Sequence, residues 1–408
     1  MRIGLFTDAY LPEITGVTTV VQTLRDELVR LGHEAYVYAP RYEHPCDDER
    51  LVFRFRSGPV FSYKTARMAL PYNREAAKSF GDLDVVHSHT PFSLAYAALI
   101  AAHRHRLPHI QTYHTYLSHY LHYVPRVFRP SVRAAESYSA LLCNRCSVVT
   151  APTRSIHDEL RKFGVRRPIH VLPFGPDLRD YAGPAVWDPR CALAIGDEAP
   201  VFLYAGRIAS EKNLLFLLES FAKIRSRLDQ AVMVFAGDGP QRPELEQEAA
   251  RLGLETAVRF AGFLDRKRLV DLYRAADVFV FASKTETQGL VIVEAMAAGT
   301  PAVAVRAMGV RDVVRDGENG FLVPEDADAL AERAVCVAAD RELAARLAEG
   351  ALATAEETSL QNGVLRLVEV YEESLAARPS SRWPGHLRRA RGRSRDGDGD
   401  LLDGHGLR

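Results

Sequence analysis

The stretch KTETQGLVIVEAMAAGTPAVA, residues 284–304, follows an apolar strand near 277–281, runs into a helix near 290–298 and ends in a second strand at 301–304. Strands that read as continuous apolar runs, with a helix between them, belong to a parallel sheet covered on both faces. Glu286 lies in the loop and Glu294 one turn into the helix, with seven residues between them. Gly289 permits close backbone approach, and residues 290–292, Leu290 and Val291 among them, open the helix with unpaired N–H groups. Such a helix start is a ready anion site. A sugar carried on a diphosphate needs this combination of donors for phosphate and acceptors for hydroxyls. The spacing of the two glutamates is common by itself, and the plain alternative leaves both in solvent beside a turn glycine. The strand–loop–helix setting and the AMAAGTP continuation favour a site.

The same alternation extends in both directions. Upstream, VFLYA at 201–205 reads as a strand and a helix follows from about 212; strands near 231–236 and 258–261 alternate with helices near 241–252 and 266–275. The first half repeats the pattern, with strands at 2–7, 35–39, 84–87, 108–112, 147–150 and 169–172 and helices near 17–31, 92–105, 128–143 and 153–163. Between the halves, Pro173 to Pro189 holds four prolines and no clear period, which marks a linker. Two strand–helix series joined by one linker predict an α/β protein of two doubly wound sheets. The expected boundaries are 1–176 and 177–357 for the two domains, 358–377 for a closing helix and 378–408 for a disordered tail rich in Arg, Gly and Asp. Ligands of such sheets bind at the carboxyl ends of the strands, so facing domains would share one cleft.

Three further motifs fall at those strand ends. GRIASEKN at 206–213 sets Arg207 and Lys212 where two cations would meet a diphosphate leaving group, although an exposed helix start carries the same residues. TDAYLPEITGVTTVVQTL at 7–24 places Gly16 at a helix start after the first strand, as a second phosphate contact or an ordinary cap. It is no dinucleotide fingerprint, since G-x-G-x-x-G is absent. IQTYHTYLSHYLHYVP at 110–125 puts His114 just after a strand, followed by His119, His122 and several tyrosines. That histidine could bind a sugar hydroxyl, take a proton or stack, and the cluster could equally be packing.

The 408 residues carry no net charge, but unevenly. Residues 1–176 hold 22 Lys and Arg against 15 Asp and Glu, whereas 177–377 hold 22 against 33. A basic first half suits an anionic surface such as phospholipid, or reflects a preference for Arg on solvated faces. RFRSGPVFSYK at 54–64 and PRVFRP at 125–130 interleave Arg with aromatics and are the expected membrane-facing segments. No apolar run approaches a membrane span. The start, MRIGLFTDAY, reads as a strand rather than a signal peptide, which predicts a cytoplasmic protein, peripheral on the inner face of the cell membrane. Cys143 and Cys146 form a lone C-x-x-C without a second pair, read as reduced helix residues and not as a metal site. No metal, cofactor or nucleic-acid partner is expected.

In these motifs the chain resembles glycosyltransferase family 4, retaining enzymes of the GT-B fold, from about residue 2 to 375. The resemblance implies two Rossmann-like domains facing across a cleft, with a C-terminal helix crossing back. It implies that Gly16 backs the phosphates and that Arg207 and Lys212 bind the diphosphate. Glu286 would contact the transferred sugar, the backbone of Gly289, Leu290 and Val291 the sugar and phosphate, Glu294 the ribose, and His114 the sugar. The sequence departs from many members at Thr15–Gly16, where two glycines are usual, and at Thr287 and Gln288, which replace the middle pair of E-G-F-G. TYHTYLSHYLHYVP and SKTETQGLVIVEAM are similar to bacterial diacylglycerol glucosyltransferases, which implies UDP-glucose as co-substrate and a membrane lipid acceptor. The alternatives are a GDP-mannose-dependent α-mannosyltransferase acting on a lipid or phosphoinositol, and a member with a soluble acceptor. A glycoside hydrolase would leave GRIASEKN without a role.

Overall fold

The computed structural model describes residues 1–377 except 14, 44–49, 61–62, 115, 118–120, 122–123 and 125–128, and gives backbone alone for 60 and 63–66. The first half runs β1 (Arg2–Phe6), α1 (Gly16–Arg30), β2 (Glu34–Pro40), β3 (Val52–Phe55), β4 (Ser57–Val60), β5 (Tyr63–Ala69), α2 (Arg74–Ser79), β6 (Val85–Ser88), α3 (Ser93–His105), β7 (His109–Thr112), α4 (Val132–Cys143), β8 (Val148–Ala151), α5 (Arg154–Lys162) and β9 (Ile169–Val171). After α6 (Pro189–Ala192) come β10 (Val201–Ala205), α7 (Leu214–Arg225), β11 (Val232–Ala236), α8 (Arg242–Arg251), β12 (Val258–Gly262), α9 (Arg266–Ala275), β13 (Val278–Phe281), α10 (Leu290–Ala297), β14 (Ala302–Val305), α11 (Val310–Val313), β15 (Gly320–Val323), α12 (Ala327–Ala339), α13 (Arg341–Glu357) and α14 (Leu360–Ala376).

Two parallel sheets result, in the orders β3-β2-β1-β6-β7-β8-β9 and β12-β11-β10-β13-β14-β15. Continuous apolar runs place them: every residue of VFLYA in β10 is buried, because helices cover both faces. Each order reverses once, between β1 and β6 and between β10 and β13. Those reversal points open crevices at the carboxyl ends of the strands. The loops after β10 and β13, which carry GRIASEKN and SKTETQG, therefore flank one crevice.

The second sheet does not end at β14, as the apolar runs suggest, but continues to β15, and α11, α12 and α13 also lie beyond the expected helices, whereas α14 falls within the closing helix expected at 358–377. The first half also contains a strand and a hairpin, β3 and β4–β5, that the apolar pattern does not mark. VFRF and SGPV are short and mixed in polarity, so neither gives a clear period. Arg54 in β3 corrects the expectation that it faces a membrane. Its guanidinium donates to the carbonyls of Leu11 (2.8 Å) and Pro40 (3.2 Å) and lies over the ring of Tyr10. The side chain of Lys64, all of Arg126, His119 and His122, and the tail 378–408 lie outside the described residues. Cys143 and Cys146 are free buried thiols, and burial pushes Cys143 up to about 12.

The chain crosses between the domains twice. Leu172 and Phe174 belong to the first core, whereas Tyr181 packs on the second. The return is α14, whose Leu360, Val364, Leu367, Val370 and Tyr371 pack with Ile3, Leu24 and Val85 of the first domain. Each such burial contributes about 2 kcal/mol before entropy costs. The two crossings touch where Leu360 N–H donates to the Pro176 carbonyl at 3.1 Å.

Candidate active site

Lys212 ends a 3-10 turn that follows β10, and Glu286 lies in the loop after β13. The ammonium donates to the Glu286 carboxylate, each side chain about one-fifth exposed. Ser283 straps the two loops together through the Glu211 carbonyl at 3.2 Å. Arg207 is exposed on the same rim, and its carbonyl accepts from the Tyr204 hydroxyl at 3.0 Å, which fixes the turn. The second crevice thus carries Arg207 and Lys212 from GRIASEKN beside Glu286 from TETQG.

Gly289 adopts φ of 81°, a conformation side chains resist, and leads directly into α10. Among the described residues no side chain caps that helix start, so the N–H groups of Leu290 and Val291 stay available for an anion, whereas Ile292 N–H, expected to be unpaired, donates to the Gly289 carbonyl at 2.9 Å. Leu290 and Val291 stand at this start, and Glu294 follows on the buried side of the helix. Glu294 is not the free acceptor its spacing suggested. One oxygen accepts from Arg266 at 2.7 Å and the other from the Tyr273 hydroxyl at 2.9 Å. Arg266 in turn donates to Asp180 at 2.9 Å and lies 5.3 Å from the centre of the Tyr181 ring. The linker is thereby tied to the crevice. Arg266, Tyr273 and Tyr181 carry no motif of their own, and the run DRKRL reads like any solvated helix start.

Removing Arg266 should strand a buried carboxylate. For Arg266→Met we expect a loss of about 2 kcal/mol, below the usual range for a fully buried pair because Arg266 is partly exposed. That corresponds to roughly 4–8 °C in Tm for a domain of this size. Adding Glu294→Gln should restore part of it. Thermal scans of both variants decide this, and equal losses would rule out the stranded-charge explanation.

Across the cleft, His114 follows β7 and meets His89, which follows β6, with His114 Nε2 and His89 Nδ1 3.1 Å apart. His89 in turn lies against His87, ring centres 4.0 Å apart. His87 is held at both nitrogens, by the Tyr371 hydroxyl of α14 and by Thr112, each at 2.6 Å. Among the described residues, buried His89 Nε2 has no partner. A bare ring nitrogen is less costly to bury than an orphaned N–H, so the His89 proton belongs on Nδ1, donating to His114. His114 then keeps its own proton on Nδ1. Burial lowers the His114 pKa to about 4. The run HSHT at 87–90 was a visible signal for this second histidine layer.

Gly16 stands at the start of α1, capped by Thr15, whose hydroxyl accepts from Thr18 N–H at 3.1 Å. Among the described residues nothing fills the space beside its backbone. Asp8, after β1, is buried and accepts from Thr90 (2.7 Å), Ser93 (2.6 Å) and the Leu94 N–H, closing the start of α3. The structure brings Lys212, Glu286 and the α10 start together, with Arg207 on their rim. It ties the Glu286 loop to His114 through Thr287, whose hydroxyl donates to the His114 carbonyl at 3.0 Å.

Two family patterns cover the chain: Glycosyltransferase Family 4 over residues 14–180 and Glycosyl transferases group 1 over 187–353. An α-monoglucosyldiacylglycerol synthase of Streptococcus pneumoniae is 33% identical over 74% of this chain and 71% of that protein. The chain belongs to glycosyltransferase family 4. The transferase is also 34% identical to an α-monoglucosyldiacylglycerol synthase of Acholeplasma laidlawii, over 79% of this chain and 84% of that one. A GDP-mannose-dependent α-mannosyltransferase of Corynebacterium glutamicum is 29% identical over 79% and 76%. The fold is GT-B, as in Anabaena HepE solved with UDP, with TM-score 0.73, 23% identity and coverage of 91% of this chain and 100% of that one. As a member of this family the chain is a hexosyltransferase.

Proposed function

We propose that the enzyme moves glucose from UDP-glucose to a membrane lipid such as diacylglycerol, retaining the anomeric configuration and needing no divalent metal. The observation that carries sugar and acceptor is the likeness, at 33% and 34% identity, to two α-monoglucosyldiacylglycerol synthases. Mannosyltransferase relatives at 29% and 31% keep GDP-mannose as the rival donor.

In this reading Lys212 and Arg207 neutralise the charge that grows on the leaving diphosphate. The backbone of Gly289, Leu290 and Val291 receives phosphate oxygens, and Gly16 backs them from the other domain. Glu286 accepts from a sugar hydroxyl, and Glu294, oriented by Arg266 and Tyr273, accepts from the ribose. His114, with a pKa lowered to about 4, is neutral near pH 7 and a poor base, so it hydrogen-bonds the sugar. The leaving phosphate oxygen then takes the acceptor proton on the face it vacates, which retains configuration.

The first domain is the proposed membrane contact, on the cytoplasmic side. Arg56 is exposed, and its carbonyl pairs with Leu70, which with Tyr72 is 61% and 74% exposed. Phe92, just before α3, and Tyr96 and Ile100 on it are exposed at four-residue spacing. Exposed rings beside Arg suit a headgroup layer. Among the described residues no helix is long and apolar enough to cross a membrane.

The test offers UDP-glucose and GDP-mannose separately to vesicles of diacylglycerol and anionic phospholipid, in chelator. The expected product is an α-glucosyl lipid, read by mass spectrometry and NMR coupling. The protein should sediment with the vesicles at low salt and leave them at high salt. A preference for GDP-mannose, a β linkage or full dependence on added manganese would each remove its part of the proposal.

A further inference from the structure

Thr287 and Gln288 replace the middle pair of the family motif and have no part in the donor contacts above. Both are engaged with the first domain. The Gln288 amide donates to the Phe174 carbonyl at 3.0 Å and accepts from the Phe174 N–H at 3.3 Å. It pairs with that backbone as a second peptide would, and it is 7% exposed. The Thr287 hydroxyl donates to the His114 carbonyl, and the Thr287 carbonyl accepts from the Thr153 hydroxyl at 2.8 Å. On its other side the loop lies against Gly309. A Cβ there would stand 2.1 Å from the Thr287 oxygen, and Gly309 N–H donates to the Glu286 carbonyl at 3.1 Å. Beside this sandwich, the start of α5 docks on α11: Ser155 N–H donates to Asp312 at 2.8 Å, and Arg311 donates to the Ser155 hydroxyl at 2.8 Å.

Four hydrogen bonds therefore cross the cleft from two consecutive residues, and the next residue back is Glu286. The loop is pinned at both ends, since Glu286 is held by Lys212 and Gly289 begins α10. A shift at Gln288 must move Glu286. Phe174 lies in the crossing segment, and its ring centre is 6.4 Å from that of His114.

We infer that Thr287 and Gln288 are positioning residues: they clasp the donor loop to the first domain, so that Glu286 and Lys212 stand in register with His114 and the acceptor half of the cleft. This rests on the reading of the site as a glycosyl-transfer centre. Neither residue acts on the reacting atoms. Their effect comes through placement, where a displacement of about 1 Å can cost about a hundredfold in rate.

The test compares Gln288→Leu and Thr287→Val in the full chain. Amide exchange at Phe174 reads the clasp without turnover. In Gln288→Leu that N–H loses its acceptor and should exchange at least about tenfold faster. UDP affinity should stay within about twofold, because Lys212 is untouched. The kcat for glucosyl transfer to diacylglycerol vesicles should fall about thirtyfold or more, with KM for UDP-glucose nearly unchanged. Thr287→Val keeps the side-chain shape, removes one hydrogen bond and should fall about tenfold. Faster exchange at Phe174 with normal kcat overturns the proposal, as does unchanged exchange, or a loss confined to UDP affinity. A wild-type chain that prefers another donor sinks the glucose reading alone, and the clasp is then read with that donor.

Discussion

Replacing Glu286 with Gln or Lys212 with Ala is expected to lower turnover at least about a hundredfold, with folding intact. Charge stabilisation in a water-poor site is worth about 2.7–4 kcal/mol per group, which corresponds to about 10²–10³ in rate. The two side chains lie against each other at the second crevice, so each also orients the other. Their effects should therefore not add, and the double variant should resemble the worse single one. The binding phenotypes should differ. Lys212→Ala should weaken UDP itself, because the proposed partner of the cation is the diphosphate. Glu286→Gln should leave UDP affinity near normal, because its proposed partner is the sugar. Steady-state turnover with isothermal titration of UDP separates these outcomes. Near-normal turnover in both variants would falsify the assignment of the donor site.

Below pH 6.5 the protein should lose stability steeply. His87, His89 and His109 are buried, His114 is largely so, and burial lowers all four pKa values, to about 4 for His114 and about 3 for His109. An unfolded chain protonates these rings near 6.5, whereas the folded chain does not until lower pH. Unfolding therefore takes up protons across that window, and acid favours it. Above pH 6.5 both states are neutral and the rings contribute no pH dependence. Each ring contributes about 1.4 kcal/mol per pH unit below that, so four give about 5 kcal/mol per unit. This compares with a typical total stability of about 5–15 kcal/mol. Asp8 and Asp26 oppose the trend, because burial raises their pKa values and the folded state gains protons there, but they stand against the four rings and His33, whose pKa burial also lowers. Urea titrations at pH 7.5, 6.0 and 5.5 should show the midpoint collapse. A flat midpoint would show that the rings protonate in place. His87→Asn should remove about one proton from the slope.

The fold was legible where burial on both faces writes long apolar runs, as in VFLYA, VMVFA and VFVF. It was least legible at β3 to β5, where Arg, Gly and Pro break the pattern and the strands are held by an edge and by a hairpin. The proposed donor residues stood out because their chemistry is local: a loop, a glycine and a helix start within a dozen positions. Their partners did not. Arg266 reaches Glu294 across 28 positions and His89 reaches His114 across 25, and no spacing rule joins such pairs. Thr287 and Gln288 were visible as departures from a pattern. Their use was not, because Phe174 lies 114 residues from Gln288. Arg54 misled for the opposite reason: a cation among aromatics reads as a surface feature, and here the carbonyls of Leu11 and Pro40 draw it inward.

The return of α14 to the first core makes the second domain an insertion within the first. A chimera that joins one enzyme's first half to another's second half at the linker alone would import a foreign α14. Leu367 and Tyr371 would then be exchanged for residues never fitted to Ile3, Leu24 and Val85, and His87 would lose its hydroxyl partner. An exchange of the second domain needs two seams, one near Pro176 and one near Ser359, which already lie together in space. Cut at both, the second domain becomes a cassette whose ends meet, and the histidine layer under His114 stays with the scaffold it evolved in.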